Sequence, residues 1–177
     1  MIMSAKSYLH LKDSIVILLV ISSIYVNMTS KKAGSFVMTE NYYKPEMLAD
    51  TDWLLENLDK PNIRIVDCDP PDSFFRAHIP NSVNVGSNTF VKSASSSLHV
   101  MDANEIEEFM SNLGIDSDTT VICYDGRNSL TATRFWWVLN YYGHTNSKVL
   151  NGGWVKWISE NKPVSISPNK VDKTKFV

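Results

Sequence analysis

The chain has 177 residues, of which 44% are hydrophobic and 20% are charged, and its formal net charge at pH 7 is −2. A chain of this length and composition is expected to bury one sizeable core, which excludes general disorder. Because there is no excess of positive charge, a surface for phosphate backbones is also excluded, and no nucleic-acid partner is expected.

Residues 1–44 are predicted to form an N-terminal extension that ends in a polar linker. Residues 14–26, SIVILLVISSIYV, follow Lys6 and Lys12 and resemble the hydrophobic region of a secretory signal. A helix of that length reaches about 20 Å, short of the roughly 30 Å hydrocarbon core of a bilayer. The segment is interpreted as a signal peptide or anchor, the one part of the chain expected to contact a membrane. The alternatives are an upstream extension, with translation starting at Met28 or Met38, and a wrongly built gene start.

The globular domain is predicted to span residues 45–168. DTDWLLENLD forms a short helix with Asp50 or Thr51 as its N-cap, and its apolar face comprises Trp53, Leu54, Leu55 and Leu58. The β-branched run 63–68 is a buried strand. A turn, one helical turn around Phe74 and Phe75, the corner His78-Ile79-Pro80 and a brief strand at 83–85 follow.

A serine-rich loop at 86–101 leads into the second half of the domain. There DANEIEEFMSNLG is predicted to be a helix, with Asp102 and Glu105 forming a capping box and Gly114 at its C-terminal end. TTVICYD and SKVLN are strands, and LTATRFWWVLNYYG and GGWVKWISEN are helices. The tail 169–177 fits no element and is interpreted as the start of a linker between domains.

Alternating strands and helices indicate an α/β open sandwich, with a mainly parallel sheet and helices on both faces. Cys68 and Cys123 lie in separate apolar runs without the spacing of a zinc or redox site, so both are interpreted as buried hydrophobic residues. Neither a metal nor a cofactor is expected.

Three segments, AHIPNSVNV, VICYDGRNSLTATRFWWVLNYYGH and VLNGGWVKW, resemble the rhodanese-like sulfurtransferases in order and spacing. The resemblance covers residues 45–168 and implies a five-stranded sheet. The likeness is strongest to the N-terminal, non-catalytic domain of the two-domain thiosulfate and 3-mercaptopyruvate sulfurtransferases. The details that favour this half are Tyr124-Asp125, the run Arg134 to Trp137, and Asn151-Gly152-Gly153.

In the family, the loop between this strand and this helix begins with a cysteine that carries sulfane sulfur as a persulfide. Backbone N–H groups and the helix dipole at such a loop would stabilise a thiolate. Here the loop consists of Asp125, Gly126, Arg127, Asn128, Ser129 and Leu130, and an aspartate cannot carry a persulfide. We therefore expect no catalytic residue in this chain. Cys123 is the weaker alternative as nucleophile, and Cys68 is weaker still, because both are expected to be buried.

Asp125 is expected to cap the following helix or to accept loop N–H groups, with a place at a domain interface as the alternative. His78 is expected to orient its corner or to support the substrate cleft. Arg127 is either a solvated arginine or a ligand for a sulfonate or carboxylate. Arg134 is expected to form an ion pair or to stack on a tryptophan, and Asp72 and Arg76 are expected to form an exposed pair.

These observations predict a catalytically silent rhodanese-like domain of a sulfurtransferase. Its expected partner is a second rhodanese domain, in cis in a longer product or else absent, with a small anionic sulfur donor at the interface. The alternative is a stand-alone binding or regulatory module. A phosphatase-like loop is disfavoured because the required thiolate and terminal arginine are missing. Family resemblance favours a cytoplasmic or mitochondrial location, whereas residues 14–26 favour secretion or membrane anchoring.

Overall fold

The computed structural model describes residues 42–87 and 100–177, and from Lys44 onward these described residues belong to one compact unit. The apolar segment 14–26 and most of the serine-rich loop lie outside the described residues. Within the described ranges, no helix is both long enough and apolar enough to span a bilayer.

Five parallel strands form the sheet, in the order β1-β5-β4-β2-β3. Their bounds are Leu48–Ala49 (β1), Ile63–Asp67 (β2), Val83–Asn84 (β3), Thr120–Tyr124 (β4) and Ser147–Leu150 (β5). The central strand β4 is buried on both sides, because its neighbours are paired along it and helices cover both faces. The predicted five-stranded, mainly parallel α/β sheet is confirmed.

The described residues contain five α-helices. Four lie between consecutive strands and the fifth follows β5: Thr51–Glu56 (α1), Pro71–Arg76 (α2), Ala103–Asn112 (α3), Leu130–Tyr141 (α4) and Gly153–Ser159 (α5). Alternate residues of β4 point to opposite faces. Val121 and Cys123 belong to the core shared with α3 and α4, whereas Ile122 and Tyr124 belong to the core shared with α1 and α5. Helices therefore cover both faces of the sheet, as the sequence predicted.

Helix α3 begins and ends as predicted. The Asp102 carboxylate accepts the Glu105 N–H, and the Glu105 carboxylate accepts the Asp102 N–H, which together form the capping box. Gly114 follows the helix with a φ of +69°, a left-handed conformation that favours glycine.

The predicted apolar face of α1 was partly wrong. Leu54 is fully buried and Leu58 packs against the same core, but Trp53 and Leu55 are 37% and 38% exposed. Leu54 lies within α1 and Leu58 lies in the turn that follows the helix, whereas Trp53 and Leu55, the neighbours of Leu54, are rotated by about 100° around the helix towards solvent. The tryptophans differ in burial as well, since Trp157 is fully buried and Trp137 is 46% exposed.

Residues 163–177, which include the predicted tail 169–177, form neither a helix nor a strand, yet they pack on the domain. Ser165 pairs in antiparallel fashion with His78, and the Thr174 hydroxyl donates to the Ile115 carbonyl over 2.7 Å. Phe176 is 5% exposed and belongs to the core beside α3 and α4. The tail therefore contributes to the core of this unit.

Candidate functional site

The carboxyl ends of β2, β4 and β5 meet at one edge of the sheet, where the loops that follow them surround a cleft. In parallel α/β sheets this edge is the usual position for ligands. The cleft has a volume of about 420 Å³ and is lined by Asp67, Asp69, Pro70, Ser73, Arg76, Ala77, Gly126, Arg127 and Trp154. Gly126 and Arg127 of the predicted loop therefore line the cleft.

The Asp125 carboxylate lies inside its own loop and is 1% exposed. Its Oδ1 accepts the N–H groups of Arg127 and Ser129, each over 2.8 Å. Its Oδ2 accepts the N–H groups of Thr131 and Ala132 over 2.7 Å and the Thr131 hydroxyl over 2.8 Å. Five donors therefore converge on one side chain, which occupies the anion-binding centre of the loop.

The loop backbone is bent to direct these donors inward. Asn128 and Ser129, with φ values of 57° and 63°, adopt the left-handed conformation immediately before α4. The N-terminal residues of α5 contact the loop, since the Trp154 N–H donates to the Asp125 carbonyl over 3.0 Å. A Cβ on Gly153, whose φ is +54°, would come within 2.5 Å of that carbonyl oxygen. Glycine at 153 is therefore required by this close approach.

A second buried acid, Asp67, ends β2 beside the loop. The Tyr124 hydroxyl donates to its Oδ2 over 2.6 Å, and the Asp69 N–H donates to its Oδ1 over 2.8 Å. Burial raises the pKa of Asp67 to about 6, against the lowering effect of these two hydrogen bonds. Burial also raises the pKa of the Tyr124 phenol well above its usual value, so the phenol stays a hydrogen-bond donor.

Asp69 joins the two loops. Its Oδ2 accepts the Gly126 N–H over 2.7 Å, and the residue is 8% exposed. Burial raises the pKa of Asp69 as well, with the nearby Asp125 charge adding to the effect and Arg127 opposing it. The floor of the cleft is thus acidic, while Arg76 and Arg127 supply positive charge at its rim.

Neither cysteine is available to solvent. Cys68 and Cys123 are both fully buried, and burial raises the pKa of both thiols well above the ordinary value. Neither lines the cleft. A thiol that is neutral and enclosed is a poor nucleophile, because the thiolate is the reactive form.

His78 is fully buried beneath the site, and its ring stacks on Phe74 with 3.8 Å between centroids. Its Nδ1 lies 2.8 Å from the Phe74 carbonyl oxygen and its Nε2 lies 3.2 Å from the Ser167 carbonyl oxygen. His78 also acts electrostatically to lower the pKa of Asp67, against the larger rise that burial causes. The ring fixes the corner and the tail and does not reach the cleft lining.

The two predicted arginines are placed differently. Arg127 is exposed at the rim of the cleft. The guanidinium carbon of Arg134 lies 5.4 Å from the centroid of the Trp137 ring, which is the predicted stacking contact. Arg134 lies on α4, outside the residues that line the cleft. Asp72 and Arg76 form the expected ion pair over 3.3 Å, with both side chains mostly exposed.

Residues 50–160, more than half of the chain, match the Rhodanese-like domain family. The chain belongs to this family. The rhodanese-like fold inferred from the sequence is thereby confirmed, together with its loop between β4 and α4.

Among curated proteins, the sulfur carrier protein TtuD of Thermus thermophilus is 33% identical over 129 residues. That alignment covers 70% of this chain and 44% of the relative. The thiosulfate sulfurtransferase of Rattus norvegicus is 29% identical over 149 residues, which cover 73% of this chain and 48% of the relative. The chain therefore spans about half the length of the curated relatives it matches.

Among solved structures, SseA from Escherichia coli, a 3-mercaptopyruvate sulfotransferase, superposes on the chain with a TM-score of 0.65 at 24% identity. The match covers 73% of this chain and 54% of that protein. At this identity the likeness establishes the fold.

The sequence prediction missed Asp67 and Asp69 as site residues. The signal for them was present, because in the run VDCDPP two acids separated by one residue lie at the end of a buried strand. The described residues contain no group of three His, Cys, Asp or Glu side chains arranged to hold a metal ion.

Proposed function

We propose that this chain is the catalytically silent rhodanese-like domain of a sulfurtransferase of the thiosulfate or 3-mercaptopyruvate type. In this proposal, a second rhodanese domain supplies the cysteine that carries sulfane sulfur. The present chain would complete the cleft, between the two domains, that receives a small anionic sulfur donor.

The observation that carries the proposal is the Asp125 carboxylate in its loop. Its two oxygens accept all five converging donors, so the loop holds an anion that belongs to the protein. A bound sulfur anion would have to displace this carboxylate, and a carboxylate cannot form a persulfide. Sulfur transfer at this loop is therefore incompatible with residue 125 as it stands.

The buried thiols and the coverage of the relatives add support. Cys68 and Cys123 are fully buried, with raised pKa values, so neither replaces the missing loop cysteine. The match to 44–48% of curated relatives is the extent expected for one of two similar domains.

A stand-alone binding module is the second candidate. The arginine rim of the cleft favours it, since Arg76 and Arg127 face a pocket of about 420 Å³ without needing any catalytic group. Reading the coding sequence beyond the Val177 codon separates the two. An in-frame second rhodanese unit with a cysteine at the loop start supports the first candidate, and a stop codon supports the module.

The activity test uses the purified 177-residue chain. With thiosulfate and cyanide it should form no thiocyanate, and with 3-mercaptopyruvate and a thiol it should form no sulfide. Cys123→Ser and Cys68→Ser serve as matched variants that each remove one thiol. Turnover in the unaltered chain that disappears in Cys123→Ser would refute the proposal and identify Cys123 as the nucleophile.

A further inference from the structure

At the opposite edge of the sheet, the amino ends of β2 and β4 border a second cleft, of about 510 Å³. Three segments form its walls: residues 60–64, the turn 114–119 after α3, and the tail from 169 to 174. None of these segments belongs to the Asp125 site, because the strands that separate the two edges run between them.

Arg64, the second residue of β2, extends a half-buried guanidinium into this cleft. Its Nη2 makes a long hydrogen bond of 3.4 Å to the Gly114 carbonyl, and its buried Nε has no acceptor among the described residues. The ion pairs found in the described ranges do not include Arg64. Burial lowers the pKa of Arg64, with Asp116 opposing the effect, as expected for a guanidinium deprived of water without a close counter-ion.

The chain makes room for this guanidinium. A Cβ on Gly114 would lie 2.8 Å from Arg64 Nη2 and 3.1 Å from the Asp172 carbonyl oxygen. Glycine at 114 therefore allows Arg64 to pass between the turn and the tail. A half-buried charge without a counter-ion destabilises the fold. Because the fold retains such a charge at Arg64 beside an open cleft, the cleft is suited to receive an anion.

The acids of this cleft do not serve as that partner. The Asp116 carboxylate is engaged in its own turn, where Oδ1 accepts the Thr119 hydroxyl over 2.7 Å and the Asp118 N–H over 3.1 Å. Asp118 and Asp172 are exposed at the rim, and Lys60 and Lys170 are exposed there too. Exposed charges are screened by solvent, which leaves the Arg64 guanidinium as the dominant interior charge.

We propose that this cleft is a binding site for a small carboxylate-class monoanion, held by the Arg64 guanidinium. The guanidinium fork matches the planar geometry of a carboxylate and binds it in bidentate fashion. The volume is within the range of small-molecule sites, roughly 300 to 1,000 Å³. Because three acids also line the cleft, a dianion such as sulfate or phosphate would be repelled more strongly than a carboxylate.

The test is a titration of the full 177-residue chain with sodium acetate, followed by the backbone amide signals in an NMR spectrum. Ionic strength is held constant with chloride, and sulfate is titrated in parallel. We expect saturable shifts at Gly114 and Thr119 with acetate, weaker effects with sulfate, and no change at Gly126 or Ser129. Arg64→Lys keeps the charge but loses the fork, and its affinity for acetate should fall about tenfold. Lys175→Gln, which removes an exposed charge of the tail, is the matched control and should bind as the unaltered chain does.

Thermal unfolding of Arg64→Met separates this site from a structural role of the arginine. Without a carboxylate, the variant should be at least as stable as the unaltered chain, because an unpaired charge has been removed. With saturating acetate, only the unaltered chain should gain in melting temperature. The proposal is overturned if acetate causes no saturable shifts around Arg64, or if Arg64→Met gains as much from acetate. It is also overturned if Arg64→Met is less stable than the unaltered chain by the same amount with and without acetate.

Discussion

Two buried carboxylates on neighbouring strands, Asp125 after β4 and Asp67 at the end of β2, share one edge of the sheet. Their exposures are 1% and 2%, so burial removes water from both to the same extent. They differ in the donors that replace the water: Asp125 accepts five hydrogen bonds within its loop. Asp67 accepts one from Tyr124 and one from Asp69.

The backbone that follows each acid explains the difference. After Asp125, the loop residues and the first turn of α4 provide free N–H groups directed at the side chain. Near Asp67, the next helix begins at Pro71 with Pro70 as its N-cap residue, and neither proline has a backbone N–H to donate. The rhodanese loop is thus an anion cradle built from backbone, whereas β2 ends in a carboxylate whose pKa rises to about 6.

The largest effect should come from removing the anion of the cradle. Asp125→Ala leaves the Thr131 and Ala132 N–H groups, among others, without an acceptor in the protein interior. We expect the free energy of unfolding to fall by about 3 to 5 kcal/mol. Urea unfolding followed by circular dichroism measures it. A loss below about 1 kcal/mol would mean that water replaces the carboxylate and that the five bonds are not structural.

Asp67 should make the free energy of unfolding depend on pH. Because its pKa of about 6 lies above that of an unfolded aspartate, 3.8, the folded chain binds more protons than the unfolded chain between these values. This group's contribution to stability is therefore present below pH 4 and is lost as pH rises through 6. Relative to Asp67→Asn, the unaltered chain should lose up to about 3 kcal/mol between pH 4 and pH 7. Parallel curves for the two proteins would contradict the raised pKa.

Gly153, which allows the close approach of α5 to the Asp125 loop, should have a smaller effect on the free energy of unfolding. Gly153 and Gly143 both have positive φ, at +54° and +86°, but only a Cβ at 153 would meet a neighbour, the Asp125 carbonyl oxygen. Both alanine variants should lose about 1 to 2 kcal/mol from backbone strain. Gly153→Ala should lose about 1 kcal/mol more, because the added Cβ also overpacks against the carbonyl oxygen. Equal losses in the two variants, measured by urea unfolding, would show that the contact at 153 does not hold the loop.

The smallest effect should come from an exposed acid. Asp72 pairs with Arg76 at the surface, where both side chains are more than two-thirds exposed. Asp72→Ala should change the free energy of unfolding by less than about 1 kcal/mol. This variant is the matched control for Asp125→Ala, because it removes the same group from solvent-exposed surroundings. A change as large as that of Asp125→Ala would mean that burial is not what distinguishes the two acids.

Local pattern was sufficient to predict four of the five strands, the capped helix α3 and the position of the loop. The two-residue strand β1 was not predicted from it, and the count of five strands came from the family resemblance. β-branched runs define β2 and β4, and the spacing of Asp102 and Glu105 defines the start of α3. The faces of α1 were only partly predictable. Its apolar run continues around the helix, and only the packing selects Leu54 and Leu58 over Trp53.

The site was harder to predict because it depends on contacts between distant residues. Asp125 could be placed at the start of the loop from its neighbours, but the convergence of five donors on it follows from positive φ values at Asn128 and Ser129. The contact of Tyr124 with Asp67 joins residues on two strands. The packing of Phe176 into the core has no local signal either, since a polar tail surrounds it in the sequence.

The central claim is that Asp125 alone keeps the loop from carrying sulfur, and the most direct measurement is the intact mass of the protein after incubation with thiosulfate. The unaltered chain and Asp125→Ala should keep their masses. The thiolate introduced in Asp125→Cys should attack the outer sulfur of thiosulfate and release sulfite, so that the protein gains the mass of one sulfur atom, which a thiol reductant should remove as sulfide. A persulfide on the unaltered chain would contradict the account, and so would a folded Asp125→Cys variant that takes up no sulfur.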